Sequence, residues 1–193
     1  MPAANRQAYF ASALKVLAEQ GFTGLNVGAL CRDLGVTSGS FYHHFGGWPG
    51  FVEQLLDHWE NRQVLILHEG SFGTGGPAAD FAALMDLTLG LPHEAEAAIR
   101  AWAMNDETVR AAQNRVDSAR LRTVGKAVAG IVGDRAVART LTALGMAMLV
   151  GHQQLASAGE HGELTALLGE YTRLVHSRAS QVRTRRCRAP ASP

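Results

Sequence analysis

The segment 26–45 constrains the fold of this chain most, because it has the pattern of two short helices joined by a tight turn. Apolar residues recur at helical spacing along its first half, namely Val27, Leu30, Cys31 and Leu34. Gly35 can adopt the left-handed backbone that ends a helix, and Thr37 is a favourable N-cap for the next one. Phe41 and Phe45 are four residues apart, so they share one buried face. The segment therefore predicts a helix-turn-helix.

Apart from Phe41 and Phe45, the residues of the second motif helix have short or hydrogen-bonding side chains. In a helix-turn-helix the second helix can enter the major groove of DNA, where hydroxyl groups donate to phosphates or reach base edges. Ser38 is a candidate for base contact, and Gly39 allows close backbone approach. The candidate DNA-binding residues along this helix are Thr37, Ser38, Gly39, Ser40, Tyr42, His43 and His44.

Two further residues could contact the DNA backbone. Asn26 begins the first motif helix, and Arg6 lies near the start of the preceding amphipathic segment. Asn26 could instead serve as a local N-cap, and a single exposed arginine is as often a solvated surface charge. Both alternatives remain open at this stage.

Helical periodicity continues through the rest of the chain, with no alternating strand pattern and no internal repeat. Apolar stripes predict helices beside the motif over residues 4–20, 49–68, 81–89, 93–105, 107–131, 135–157 and 163–178. Together with the two motif helices this makes nine. The sequence therefore predicts an all-α fold.

Residues 13–22, 35–45 and the helix after Pro49 resemble the DNA-binding end of the TetR family of bacterial transcription regulators. The resemblance implies an N-terminal three-helix helix-turn-helix domain over residues 1–47 and a helical effector-binding and dimerisation domain over 48–183. Residues 184–193 are predicted to be a disordered basic tail. The resemblance also implies that Tyr42 and His43 touch phosphates or a thymine methyl. It further implies a homodimer formed through the last two helices.

The charge of the chain is unevenly distributed, although its net value is only +1. Residues 178–193 contain five arginines and no acidic residue, and residues 1–50 are only slightly basic. The family often has a lysine or another polar residue in the turn where this chain has Gly46 and Gly47. Phosphate binding is therefore expected to depend on hydrogen bonds more than on charge.

Several classes of function find no support in the sequence. The histidines are scattered, the two cysteines lie in unrelated segments, and no hydrolase or metalloprotease motif occurs. We therefore expect no metal, no cofactor and no catalytic activity. The sequence shows neither a signal peptide nor an apolar run of membrane-spanning length, so we expect no membrane association and a cytoplasmic protein.

The body of the chain contains methionine and aromatic residues that could line an apolar effector pocket. Arg100 and His152 are the polar candidates for anchoring a ligand, although each could equally pair locally. The complete candidate set is Trp59, Phe81, Met85, Arg100, Trp102, Met104, Met148 and His152. Ordinary core packing is the alternative explanation for the apolar members.

These patterns lead to one functional hypothesis and two rivals. The hypothesis is a DNA-binding regulator, a repressor released from palindromic double-stranded operator DNA by a small, mostly apolar effector. One rival is a helical-bundle carrier or enzyme whose DNA-binding head has degenerated. The other is a regulator without a ligand, controlled by a protein partner.

Overall fold

The computed structural model describes residues 5–69, 75–155 and 161–188, with side chains described over 5–63, 75–155 and 163–185. These residues form nine α-helices and no strand, which confirms the predicted fold class. The helices are α1 Arg6–Gly24, α2 Val27–Leu34, α3 Ser38–Phe45, α4 Trp48–Glu69, α5 Pro77–Leu89, α6 His93–Ala103, α7 Glu107–Val132, α8 Arg135–Leu155 and α9 His161–Arg188.

Local capping explains where several helices begin. Asn5 Oδ1 accepts a hydrogen bond from the Ala8 amide at 2.9 Å, which caps α1. Asp106 and Asp134 do the same for α7 and α8 by accepting bonds from the first-turn amides. Each cap satisfies backbone donors that have no partner inside the helix.

The first helix differs in two respects from its sequence-based description. Gly21 has a φ of 69°, so the regular helix breaks where the sequence predicts its end, and a short turn continues to Gly24. The buried face also differs from the stripe of Phe10, Leu14, Leu17 and Ala18 that the sequence predicts: Ala18 is exposed, whereas Tyr9 and Ala13 are fully buried. The helix therefore presents a tyrosine to the core that the apolar stripe alone did not reveal.

The chain divides into two compact units. The first comprises residues 1–64 and 92–117, and the second comprises residues 65–91 and 118–193. In the first unit α1 packs against α2 and α6, and one apolar cluster runs through α1 to α4, α6 and the start of α7. In the second unit α5, α7, α8 and α9 share a separate apolar cluster. The domain limits of 1–47 and 48–183 remain a prediction.

The last helix is longer than predicted. It continues to Arg188, so residues 184–188, expected in a disordered tail, are helical. Arginine has a high helix propensity, and the apolar face that buries Val175 and Ala179 supports the preceding turns. Residues 189–193 lie outside the described residues.

Candidate nucleic-acid interface

Aromatic packing fixes the position of α3. Phe41 is fully buried and Phe45 nearly so, and their ring centroids lie 5.2 Å apart. Phe51 from α4 contacts both rings, at 5.2 and 5.0 Å. Tyr9 from α1 approaches them edge-on, at 5.9 and 5.3 Å. The predicted pair of buried rings on α3 is thus part of a cluster that joins three helices.

The opposite side of α3 is open to solvent. Tyr42 is 55% exposed, and Ser40 and His44 are half-buried where α3 meets α1. The other predicted contact residues are exposed: Thr37, Ser38, Gly39 and His43. The structure therefore gathers the candidates of the second motif helix on and around one exposed surface.

Two polar contacts join α1 to α3. The Tyr9 hydroxyl donates to Ser40 Oγ at 3.0 Å, and Arg6 Nη2 donates to the His44 carbonyl at 3.0 Å. The His44 ring also lies 5.7 Å from the Tyr9 ring. The sequence left open whether Arg6 contacts a phosphate or is a solvated surface charge; in the structure one of its N–H groups binds the carbonyl of His44 near the end of α3.

The caps of α2 and α3 differ from each other. Asn26 Oδ1 accepts from the Ala29 amide at 2.9 Å, and its Nδ2 donates to the Gly24 carbonyl at 3.1 Å, so its side chain makes the local cap. Thr37 occupies the N-cap position of α3, but its side chain makes no capping bond. The start of α3 is exposed, where water can satisfy the backbone donors. Thr37 is therefore the N-cap residue that the sequence predicted, although its side chain does not form the capping bond.

The turn from α3 to α4 depends on its glycines. Gly46 ends α3 with a φ of 71°, and its amide donates to the Tyr42 carbonyl at 2.9 Å. Helix α4 begins at Trp48, so Pro49 is its second residue and not, as expected, its first. A Cβ on Gly50 would lie 2.5 Å from the Phe45 carbonyl oxygen. Gly50 thus allows the start of α4 to approach the end of α3.

Charge in this region is partly neutralised. Lys15 Nζ lies 2.6 Å from Asp33 Oδ1, joining α1 to α2. This hydrogen bond raises the pKa of Lys15 and lowers the pKa of Asp33. Burial raises the pKa of the Cys31 thiol, which favours the unreactive protonated form.

The effector candidates of the first unit lie mostly in its core. Trp59 and Trp102 are buried in the apolar cluster, whereas Met104 follows the last residue of α6 and is 78% exposed. Arg100 forms a two-pronged ion pair with Asp117, at 2.8 and 2.9 Å. The local pairing considered for Arg100 is therefore present, and Met104 does not belong to the core.

The effector candidates of the second unit are also core residues. Phe81 is buried, Met85 and Met148 pack against the same cluster, and His152 is buried in α8. A shallow, mainly apolar cavity of about 350 Å³ lies between α8 and α9, beside Leu144 and Leu174. The candidates are thus divided between the two units, four in each.

A second cavity, in the first unit, has a polar lining. It measures about 520 Å³ and lies between α4 and the start of α7, with carboxylates from Glu53, Asp57 and Glu107. Arg115 at its edge is held by Glu60, with Nη2 to Oε2 at 2.7 Å. In the described part of the chain, His, Cys, Asp and Glu side chains form no group of three suited to a metal ion. No helix in that part has the length and hydropathy needed to cross a membrane.

The geometry defines a helix-turn-helix protein. One face of its second motif helix packs on buried aromatic residues, and the opposite face is exposed to solvent. Residues 10–54 match the family model for bacterial regulatory proteins of the tetR family. Together with the likeness of the whole fold to solved structures, this match confirms the resemblance to the TetR family.

Three solved structures illustrate the likeness. A transcriptional regulator from Rhodococcus sp. Rha1 is 22% identical, with 98% of this chain and 100% of that chain covered and a TM-score of 0.65. A TetR transcription regulator from Haloarcula marismortui is 16% identical, with 86% and 95% covered and a TM-score of 0.68. A Saccharomonospora viridis protein in complex with choline is 15% identical, with 87% and 95% covered and a TM-score of 0.67. No curated protein sequence matched the chain.

Proposed function

We propose that this protein is a homodimeric transcriptional repressor that leaves a palindromic operator when a small, mostly apolar effector binds its body. One observation carries the DNA-binding part of the proposal. The surface of α3 from Thr37 to His43 offers hydroxyl, imidazole and phenol groups to solvent, while Phe41 and Phe45 anchor its reverse side. Such a rigidly held, polar helix face suits recognition in the major groove.

Dimerisation is supported by the exposed apolar surface of the last two helices. Leu144 on α8 is 46% exposed and borders the apolar cavity that Leu174 of α9 also lines. A second copy of the chain would cover this surface. Two recognition helices about 34–36 Å apart would then meet successive major grooves of a palindrome.

The effector part of the proposal is supported by the composition of the two cores. Phe81, Met85 and Met148 in one, and Trp59 and Trp102 in the other, are adaptable apolar side chains of the kind that line ligand pockets. The complex of the Saccharomonospora viridis relative with choline is consistent with a small ligand for this fold. If the effector binds best to an arrangement of the protein that fits the operator poorly, it lowers the affinity for the operator. Bound operator must then lower the affinity for the effector by the same factor.

The test has two stages. Purified full-length protein is first used to select fragments from genomic DNA, and enriched fragments are searched for a common palindrome. Small molecules are then screened for release of the protein from that palindrome. Enrichment of one palindromic sequence and its loss with a single class of apolar molecule are the expected results.

Other outcomes would favour a different function. If no DNA sequence is enriched, and the protein instead converts a small molecule or retains one through purification, it is an enzyme or a carrier whose DNA-binding domain has degenerated. If a palindrome is enriched but only a protein partner releases it, the regulator works without an effector.

A further inference from the structure

The hydroxyl group of Ser40 is held differently from most other hydroxyl groups on the described helices. Its oxygen accepts a hydrogen bond from the Tyr9 hydroxyl at 3.0 Å. Many other helical serines and threonines donate to the carbonyl four residues earlier, namely Thr88, Thr123, Thr140, Thr142, Thr172, Ser180 and Thr184.

The position of Ser40 in α3 explains the difference. It is the third residue of the helix, so the carbonyl four residues earlier belongs to Val36, which precedes the N-cap. The backbone before Thr37 is not helical, so Ser40 lacks the helical carbonyl four residues back that the other hydroxyl groups use, and the Thr37 carbonyl three residues back accepts the Ser40 amide at 3.1 Å. A hydroxyl group has one hydrogen to donate and two lone pairs. Because Tyr9 uses one lone pair, the hydrogen of Ser40 stays available on the half-buried surface beside Ser38 and Gly39.

Tyr9 is suited to fix this arrangement. Its side chain is fully buried and is surrounded by the rings of Phe41, His44 and Phe45 at 5.9, 5.7 and 5.3 Å. A buried phenol must find a hydrogen-bond partner, since an unpaired one is costly. An accepted hydrogen bond also polarises a hydroxyl group and strengthens it as a donor.

We infer that Tyr9 is a positioning residue for DNA recognition, which makes Ser40 a directed donor to a hydrogen-bond acceptor on the DNA. The inference rests on the proposed function, because it assumes that α3 lies against DNA. The acceptor is a phosphate oxygen or an acceptor atom on a base edge. These two sources share their chemistry but differ in what the loss of the donor does to sequence preference.

The experiment compares Tyr9→Phe, Ser40→Ala and the double variant of the full-length protein. Tyr9→Phe keeps the ring but removes the donor, and Ser40→Ala removes the group that would touch DNA. For each variant, affinity for the selected operator is measured at fixed salt, together with the midpoint of thermal unfolding. A loss of one neutral hydrogen bond corresponds to a drop of about three- to tenfold in affinity per recognition helix.

The two measurements are expected to give opposite patterns. The double variant is expected to have the same operator affinity as Ser40→Ala, because Tyr9 acts on DNA binding only through the Ser40 hydroxyl. In stability Ser40→Ala loses more than the double variant, since it leaves the buried Tyr9 hydroxyl without a partner. A purely structural role for Tyr9 would instead lower affinity further in the Ser40→Ala background, and this result would overturn the inference.

A matched control removes a comparable phenol elsewhere. Tyr171 donates to the Leu141 carbonyl at 2.9 Å within the second unit, so Tyr171→Phe loses a buried hydroxyl bond without touching α3. With dimerisation checked by sedimentation, this variant is expected to keep wild-type operator affinity. If Ser40→Ala unfolds, Tyr9→Phe is compared with the double variant instead, since neither contains an unpaired buried hydroxyl: equal operator affinities support the inference, and a further loss in the double variant overturns it.

The remaining outcomes are equally decisive. Loss of affinity that is uniform across operator sequences places the acceptor on a phosphate, and loss of preference at one base pair places it on a base edge. Unchanged affinity in Ser40→Ala overturns the inference while leaving the proposed function intact. Failure of the wild-type protein to enrich any DNA sequence overturns both.

Discussion

The carbonyl oxygen of Phe45 lies so close to Gly50 that a Cβ added at position 50 would be 2.5 Å from that oxygen, so only glycine fits there. Phe45 is the last residue of α3, and Gly50 is in the first turn of α4. This contact sets how closely the end of α3 approaches the start of α4.

We predict that Gly50→Ala destabilises the protein. The added methyl group must displace the backbone at the end of α3, and forcing an extra methyl into such a contact costs about 1–3 kcal/mol. Urea unfolding measures the change. As a control, Gly169→Ala on the exposed face of α9 meets no atom within 4 Å and should stabilise its helix by up to ~1 kcal/mol. Equal stability changes in the two variants would contradict the role assigned to Gly50.

The stability of the first unit should depend on the charge of His58. Its ring stacks on Phe10 with centroids 4.9 Å apart, and burial, followed by the nearby charge of Arg62, lowers its pKa. The unfolded chain binds a proton at His58 more readily than the folded chain does. The contribution of neutral His58 to the free energy of unfolding is therefore complete above the ordinary histidine pKa of about 6.5 and is lost as pH falls below it. Unfolding free energies measured from pH 8 to 5 should therefore fall less in His58→Gln than in wild type.

Arg62→Gln provides the matched control for that titration. Removing the like charge should reduce the loss of stability at low pH without abolishing it, since burial is the larger cause. Identical pH dependence in wild type and His58→Gln would show that this imidazole does not contribute.

We predict that Leu144→Glu yields a monomer. Leu144 borders the apolar cavity between α8 and α9, and a carboxylate there would lose its hydration if a second copy covers it, a cost that pairing with Arg178 at the same cavity does not repay. Sedimentation at micromolar concentration measures the result. Leu121→Glu is the control, because Leu121 is similarly exposed, at 42%, but lies on α7. A Leu144→Glu protein that remains dimeric would contradict the proposed interface.

Operator binding should have a shallow dependence on salt. Residues 1–50 contain three Lys or Arg residues, Arg6, Lys15 and Arg32, and Lys15 is already paired with Asp33 at 2.6 Å, so few phosphates can be neutralised. Each phosphate neutralised contributes a slope of about −0.9 in log K against log salt. We expect Lys15→Gln to leave this slope nearly unchanged. A change of about 0.9 per subunit would mean that Lys15 leaves Asp33 to bind one phosphate.

Local sequence patterns were sufficient for much of the fold. The spacing of Phe41 and Phe45 predicted their burial, and Gly21 marked the break in α1. Both features arise from interactions within a few residues, which periodicity and backbone preference describe directly. The predicted end of α9 was wrong. The composition of the arginine-rich segment suggested disorder, whereas the helix propensity of arginine favours continuation of the helix to Arg188.

Contacts between distant segments could not be predicted in the same way. Tyr9 and Ser40 are 31 residues apart, and the apolar stripe of α1 can be drawn with or without the tyrosine. The close approach of Gly50 to Phe45 likewise depends on the angle between two helices. The sequence offered one hint for Tyr9, since it lies four residues before Ala13 on the face that proves to be buried.

The most direct test of the central claim is the ratio of affinities for the selected palindrome and for a scrambled duplex of the same length. We predict a ratio on the order of 10³ or more for the wild-type protein, and a fall of about tenfold or more in Tyr42→Ala, which loses an exposed side chain of α3. A wild-type ratio near one, or a ratio that Tyr42→Ala and Ser38→Ala both leave unchanged, would contradict sequence reading by this helix.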